Sequence, residues 1–200
     1  MTSPQYKILV RASTDADVDA MLSIYHHHIS TGLSVQDAAE GAWLLEADDL
    51  KRRRKNMRKH RLPHLVAEIE GIVAGYAYAV PFRKRPAYRY TLKHSIYIHG
   101  QFVNCGVGRT LLPALVDACT AAGYRQLIAY IDPANQASLH LHETCGFLKV
   151  GVLPAVGFKF GKWVDSVMVQ RPLGAGATTP PGSWAEPEGA VVAKSDGIEG

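Results

Sequence analysis

The stretch that decides the fold reads IYI at 96–98, NCGVGR at 104–109 and TLLPALVDACTAAG at 110–123. Its order is an apolar run, a glycine-bearing loop and a helical run. Thr91 to Ile98 predicts a strand, Gly100 to Gly108 a loop and Arg109 to Ala122 a helix. Gly123 closes that helix where a left-handed cap is favoured. Pro113 falls early in the helix, near the point where a missing N–H and a ring clash begin to matter. The arrangement suits anion binding. Free N–H groups at a helix N-terminus carry positive partial charge, and glycine lets an anion approach the backbone. Gly106 and Gly108 do not have the spacing of a dinucleotide fingerprint, and no Lys-Ser/Thr phosphate loop is present. A plain turn before a helix has the same appearance, so the loop needs support from elsewhere in the chain.

Upstream, Ile8 to Arg11 reads as a short strand. Val18, Met21, Leu22 and Tyr25 share one face of a helix that Ser13 or Thr14 can cap. A second helix is predicted from about Ala42 to Lys59, followed by strands His64 to Ile69 and Ile72 to Val80 around a Glu70-Gly71 turn. Downstream come a buried-type strand at Gln126 to Ile131, a helix at Asn135 to Cys145 closed by Gly146, and strands at Phe147 to Val152 and Val164 to Gln170. The sum is one α+β domain over residues 1–173, a mixed sheet flanked by helices. Residues 174–200 turn to Gly, Ala, Thr, Pro and Ser without periodicity and are expected to be a disordered tail, with Trp184 its one aromatic residue.

Composition narrows the function classes. The 200 residues are 47% apolar and 20% charged, which suits a packed domain. No apolar run approaches a membrane span, and Met1 to Lys7 has no signal-peptide core. Cys105, Cys119 and Cys145 are odd in number and widely spaced, so neither a disulfide framework nor a thiolate metal site is expected. These features predict a cytoplasmic protein. The net charge of +4 is mild, and residues 51–61 (KRRRKNMRKHR) supply much of the positive charge. That run can be read as a nucleic-acid patch or as a solvated helix face. Trp43, Ala47, Leu50 and Met57 at helical spacing, interrupted by Arg54, favour the helix face, so nucleic acid is not expected as a partner. His26, His27 and His28 diverge by about 100° each on a helix and do not converge on a metal. No metal is expected.

Support for the loop comes from Asn135-Gln136-Ala137-Ser138 and LHETCGF at 141–147. A glycine loop after one strand and Asn-x-x-Ser with Gly-Phe after the next resemble the cofactor-binding half of GNAT acyltransferases. AEIEGIVAGYAYAVPFRKRPAY at 67–88, LHETCGF and GFKFGKWVDSVMVQ at 157–170 resemble that superfamily's phosphinothricin and methionine-sulfoximine branch. The resemblance spans about residues 8 to 173.

The resemblance implies a splayed sheet with acetyl-CoA between the strands ending at Ile98 and Ile131. It places the pantetheine arm along Ile96, Tyr97 and Ile98. The pyrophosphate falls on the backbone of Asn104, Cys105, Gly106, Val107, Gly108 and Arg109, and Asn135 and Ser138 lie on the pantetheine side. It implies an acetyl acceptor that is a small amine, an amino acid or an analogue such as phosphinothricin or methionine sulfoximine. Arg83, Arg85, Tyr88 and Lys93 would line the acceptor side. His142 stands where the superfamily often carries the tyrosine that protonates the departing thiolate. Two positions depart from the pattern. Val103 replaces the usual Gln or Arg that opens the loop, and Thr91-Leu92-Lys93 replaces the branch's Thr-Val-Glu, whose glutamate acts as general base. Lysine takes over that role only if burial lowers its pKa, and it can instead bind a substrate carboxylate. His94 follows on the strand and points to the opposite face. His140 lies about 200° round the helix from His142 and is not expected to share its site. Acetylation of a protein amine and a non-catalytic CoA-binding module remain as alternatives. A homodimer paired through its C-terminal strands is implied by the branch alone.

Overall fold

The computed structural model describes residues 6–31 and 46–181. Strand β1 (Ile8–Ala12) leads through a 3-10 turn into helix α1 (Val18–Ser30), and helix α2 (Ala47–Lys59) precedes strands β2 (His64–Ile69), β3 (Ile72–Pro81) and β4 (Thr91–Ile98). Helix α3 (Val107–Ala121), strand β5 (Gln126–Ile131), helix α4 (Gln136–Thr144) and strands β6 (Leu148–Lys159) and β7 (Lys162–Pro172) complete the order. The strands form one sheet in the order β1-β2-β3-β4-β5-β7-β6. Only β4 and β5 run parallel; the other neighbours are antiparallel. This is the mixed α+β architecture expected from the sequence.

Each face of the sheet has its own core. Leu111, Leu112 and Leu115 of α3 pack on Ala77, Leu92 and Leu127. Met21 and Ile24 of α1 and Leu50 of α2 pack on Val66, Tyr76 and Tyr97 from the opposite side. Strand alternation divides β4 accordingly. Leu92, Ile96 and Ile98 serve the α3 face, and Tyr97 serves the α1 face.

The basic run is a helix face with one residue turned inward. Leu50, Arg54 and Met57 are the buried positions of α2. Arg54 Nε donates to Ser13 Oγ at 2.8 Å, Nη2 donates to the Ser13 carbonyl at 2.6 Å, and Nη1 pairs with Asp15. The arginine that interrupts the apolar stripe therefore ties α2 to the β1–α1 link. Acidic residues of the first turn support α2 at i,i+3, Asp48 with Lys51 and Asp49 with Arg52. Residues 42–45, expected to start this helix, lie outside the described residues, as do residues 182–200 with Trp184.

The last two strands run further than the sequence pattern indicates. Pro154 is tolerated because β6 is the edge of the sheet. Its pairing with β7 slips between Leu153 and Gly157, where Ala155 adopts φ 48° and its N–H donates to Asp165 Oδ1 at 2.9 Å. Among the described residues no helix is long and apolar enough to cross a membrane. Arg54→Ala removes three side-chain hydrogen bonds at a buried position and is expected to cost about 2 kcal/mol of stability. Urea denaturation checks this, and an unchanged midpoint would show that α2 docks through Leu50 and Met57 alone.

Candidate active site

The sheet parts in its middle. β4 and β5 pair at Thr91 with Gln126, Leu92 with Leu127 and Lys93 with Ile128, and then separate. The β3–β4 ladder fixes where the β4 backbone points beyond that. His99 N–H donates to the Ala74 carbonyl and the Thr91 carbonyl accepts from Phe82 N–H, so odd-numbered residues face β3. The N–H and C=O groups of Ile96 and Ile98 face the gap. A cavity of about 1290 Å³ fills this fork and is lined by residues 94–98, 102–109 and 129–132 and by α4. Its size exceeds that of a typical small-ligand pocket, about 300–1,000 Å³.

The glycine loop closes the open end of the fork. Asn104 and Gly106 take positive φ values of 65° and 86°, and α3 begins at Val107. The first intrahelical bond runs from Thr110 N–H to the Gly106 carbonyl. Gly106, Val107, Gly108 and Arg109 thus present N–H groups without intrahelical acceptors, the usual condition of a helix N-terminus. Cys105 N–H is already spent on the Phe102 carbonyl at 3.3 Å. Of the six residues expected to meet the pyrophosphate, Cys105 therefore has its N–H engaged within the fold. Gly108 also has a second reason to be glycine. A Cβ there would stand 2.9 Å from Leu141 Cδ2 of α4, so the residue permits close contact between α3 and α4 as well as backbone access.

Helix α4 brings the imidazole into the fork. Asn135 caps it, its Oδ1 accepting from Ser138 N–H at 3.0 Å. His142, one turn on, is 1% exposed and lines the cavity. Its Nδ1 lies 2.7 Å from the Ser138 carbonyl oxygen. Only a protonated Nδ1 bonds to a carbonyl, so Nε2 carries the lone pair, and Nε2 is buried without a partner. Burial pushes the His142 pKa down to about 4, against a smaller raising effect from the Ser138 carbonyl. The ring is neutral at pH 7. His94, the first β4 residue beyond the paired segment, stacks on it with ring centroids 5.1 Å apart.

A model of the acetyltransferase (GNAT) family matches residues 26–147. The phosphinothricin N-acetyltransferase of Alcaligenes faecalis is 46% identical over 173 residues, 86% of either chain. The L-methionine sulfoximine/L-methionine sulfone acetyltransferase of Salmonella typhimurium is 33% identical over 167 residues, 82% of this chain and 94% of the relative. The GNAT superfamily phosphinothricin acetyltransferase of Sinorhizobium meliloti, solved in complex with acetyl-CoA, is 36% identical with a TM-score of 0.82, covering 91% of this chain and 97% of that one. The chain belongs to the GNAT acetyltransferase family.

The GNAT fork assembles most of the residues expected from sequence. Ile96, Tyr97, Ile98, Asn104 to Arg109, Asn135, Ser138 and His142 all line it. His140 also lines the cavity, but from its exposed rim, whereas His142 is buried in the wall. Four other expected residues are absent from the lining. Lys93 shares the face of Tyr97, on the α1 side of the sheet. Arg83 stacks over Phe82 and Tyr88 at 5.1 Å from each ring, exposed in the β3–β4 link. Arg85 precedes a one-turn helix in the same link. Sequence reasoning missed His28, whose Nε2 lies 2.8 Å from the Ile98 carbonyl, one of the groups facing the fork. It also missed Asp132, which lines the cavity and forms a buried ion pair with Lys159. Histidine triplets invite a metal reading, and this one instead sends a single ring to a carbonyl; among the described residues no group of three metal-ligating side chains occurs.

Arg109 is exposed beside the amide cradle. Arg109→Glu places a carboxylate where the anion of acetyl-CoA is expected. The dissociation constant should rise about tenfold, with an unchanged melting temperature, since one charge-assisted contact is worth about 1.5–3 kcal/mol. Calorimetric titration reads this directly, and unaltered affinity would move the phosphates away from the α3 N-terminus.

Proposed function

We propose that the protein transfers the acetyl group of acetyl-CoA to the amino group of a small amino acid or analogue, with phosphinothricin and methionine sulfoximine as the first acceptors to test. The observation that carries this reading is the parted β4–β5 pair with a helix N-terminus at its mouth and a buried neutral imidazole in its wall, in a chain similar over most of its length to enzymes of that activity. The fork offers an extended arm the backbone groups of Ile96 and Ile98, and the cradle at 106–109 offers its phosphates N–H donors.

His142 is the proton carrier in this reading. With its lone pair at Nε2, it accepts the proton that the attacking nitrogen sheds on bonding to the acetyl carbon. As the carbon–sulfur bond breaks, it returns that proton to the sulfur. A pKa near 4 makes it too weak a base to deprotonate a free ammonium, so the acceptor must lose its first proton to water. The rate therefore rises toward alkaline pH as more acceptor is neutral. Lys93, on the other face, is available to a substrate carboxylate. Arg83, Arg85 and Tyr88 form the remaining candidate acceptor surface.

The sheet's edge supports a homodimer. Leu148, Val152, Val156, Phe158 and Trp163 on β6 and β7 are exposed, with Leu148 and Trp163 each 68% accessible. An exposed apolar edge of this kind needs a cover, and the second copy implied by the family branch supplies one. Cys105, Cys119 and Cys145 are free thiols, two of them half-buried, in keeping with a reducing cytoplasm. We also take residues 1–173 as the catalytic domain and 174–200 as dispensable.

An acetyl-CoA consumption screen over free amino acids, phosphinothricin and methionine sulfoximine, with mass detection of product, is expected to show turnover that climbs with pH. His142→Ala should lower kcat about 100-fold and shift KM little, because the group acts in the transition state. A pH-independent rate, or a silent His142→Ala, would refute the role. Light scattering at micromolar concentration should give twice the 21.8 kDa chain mass, and Trp163→Glu should halve it; a monomeric wild type would remove the dimer.

A further inference from the structure

His94 is buried against the fork with no partner that the fold supplies. It is 4% exposed, and both ring nitrogens are buried without a hydrogen bond. Each such group costs about 1–3 kcal/mol, and packing does not require it. His94 touches the rings of His142 and Phe147, at 5.1 Å and 5.3 Å between centroids, contacts that phenylalanine makes as well. The position is specific: β4 and β5 stop pairing at Lys93 and Ile128, so His94 stands at the apex of the fork and lines its cavity.

The chemistry of the two rings differs. His142 commits its N–H to the Ser138 carbonyl and offers a lone pair. A neutral His94 has one N–H and one lone pair, neither committed within the fold. Of the two stacked rings, His94 alone can offer a hydrogen to a ligand. We infer that His94 is a further catalytic residue, a neutral hydrogen-bond donor to the carbonyl oxygen of the acetyl thioester. The inference rests on the acetyl-transfer reading above. When the amine nitrogen bonds to the acetyl carbon, the carbonyl π pair moves onto oxygen and His94 N–H stabilises that negative charge without giving up its proton. The pair then re-forms the carbonyl, the carbon–sulfur bond breaks, and the sulfur takes the proton from His142. Burial and the neighbouring His142 both hold His94 in the neutral form this role needs. Of the charged residues on the cavity wall, Asp132 is paired with Lys159 just beyond the end of β5, and Arg109 stands at the start of α3. Lys93 lies on the opposite face of the strand.

The test compares His94→Phe, which keeps the stacked ring, with His94→Gln, which keeps an N–H donor. Acetyl-CoA is the donor, and the acceptor is whichever screened amine the wild type turns over. His94→Phe should lose about 100-fold in kcat, the effect of removing one oxyanion donor. Its acetyl-CoA dissociation constant and melting temperature should stay near wild type. His94→Gln should recover at least tenfold of the loss, and the alkaline rise should persist in both variants. Full kcat in His94→Phe, or an equal loss in both variants, would overturn the inference. If His94→Phe does not fold, His94→Leu takes its place with the same outcomes. A wild type that acetylates no amine would defeat the proposed function itself, a result distinct from either variant outcome.

Discussion

The separation of β4 from β5 after Lys93 and Ile128 is the constraint on which the site depends. A sheet that stayed paired would satisfy its own backbone and leave no opening. Because the strands part, Ile96 and Ile98 turn their peptide groups toward a cavity, and a buried peptide group without a partner is costly. The fold meets that cost in part from within, by setting His28 on the Ile98 carbonyl. The remaining groups are matched to a ligand that can run beside β4 as a strand does. The same parting exposes the N-terminus of α3 at the fork's mouth and lets α4 press His142 into its wall.

Electrostatics then divides the fork in two. At the mouth, the α3 N–H groups and Arg109 favour negative charge. At the apex, two imidazoles are buried deeply enough to stay neutral, so protonation and charge develop there only when a reaction supplies them. His142 is oriented by a backbone bond within its own helix, which Asn135 caps. The polar residues at and within α4 thus both start the helix and fix the orientation of its buried imidazole. Gly108 serves two ends in the same way, opening backbone to the fork and bringing α3 against α4.

The sequence displayed the parts whose physics is local. The Gly106 loop and the helix beginning at Asn135 follow from short-range rules, and both stand where they were expected. Arg54 was visible as an interruption in an apolar stripe, but its bonds to Ser13 and Asp15 cross 41 and 39 residues of chain. His94 and His142 meet only because β4 leaves its neighbour at that residue, and no periodicity announces where two strands part. The length of β6 was hidden for a different reason, since Pro154 and Gly157 read as a break unless the strand is known to lie at an edge. Lys93 is legible as a departure from the branch, and the sheet explains why it sits apart from the imidazoles: adjacent strand residues point to opposite faces.

The most direct measurement of the fork is residue-resolved amide hydrogen exchange with and without coenzyme A. The account predicts new protection at Ile96 and Ile98, whose N–H groups face the gap, and at Gly106 to Arg109 in the cradle. Exchange at Tyr97 and Ser95, already bonded toward β3, should change little. Protection that fell on β6 and β7 instead, or that left Ile96 and Ile98 unaltered, would contradict the claim that the parted strands are where acetyl-CoA binds.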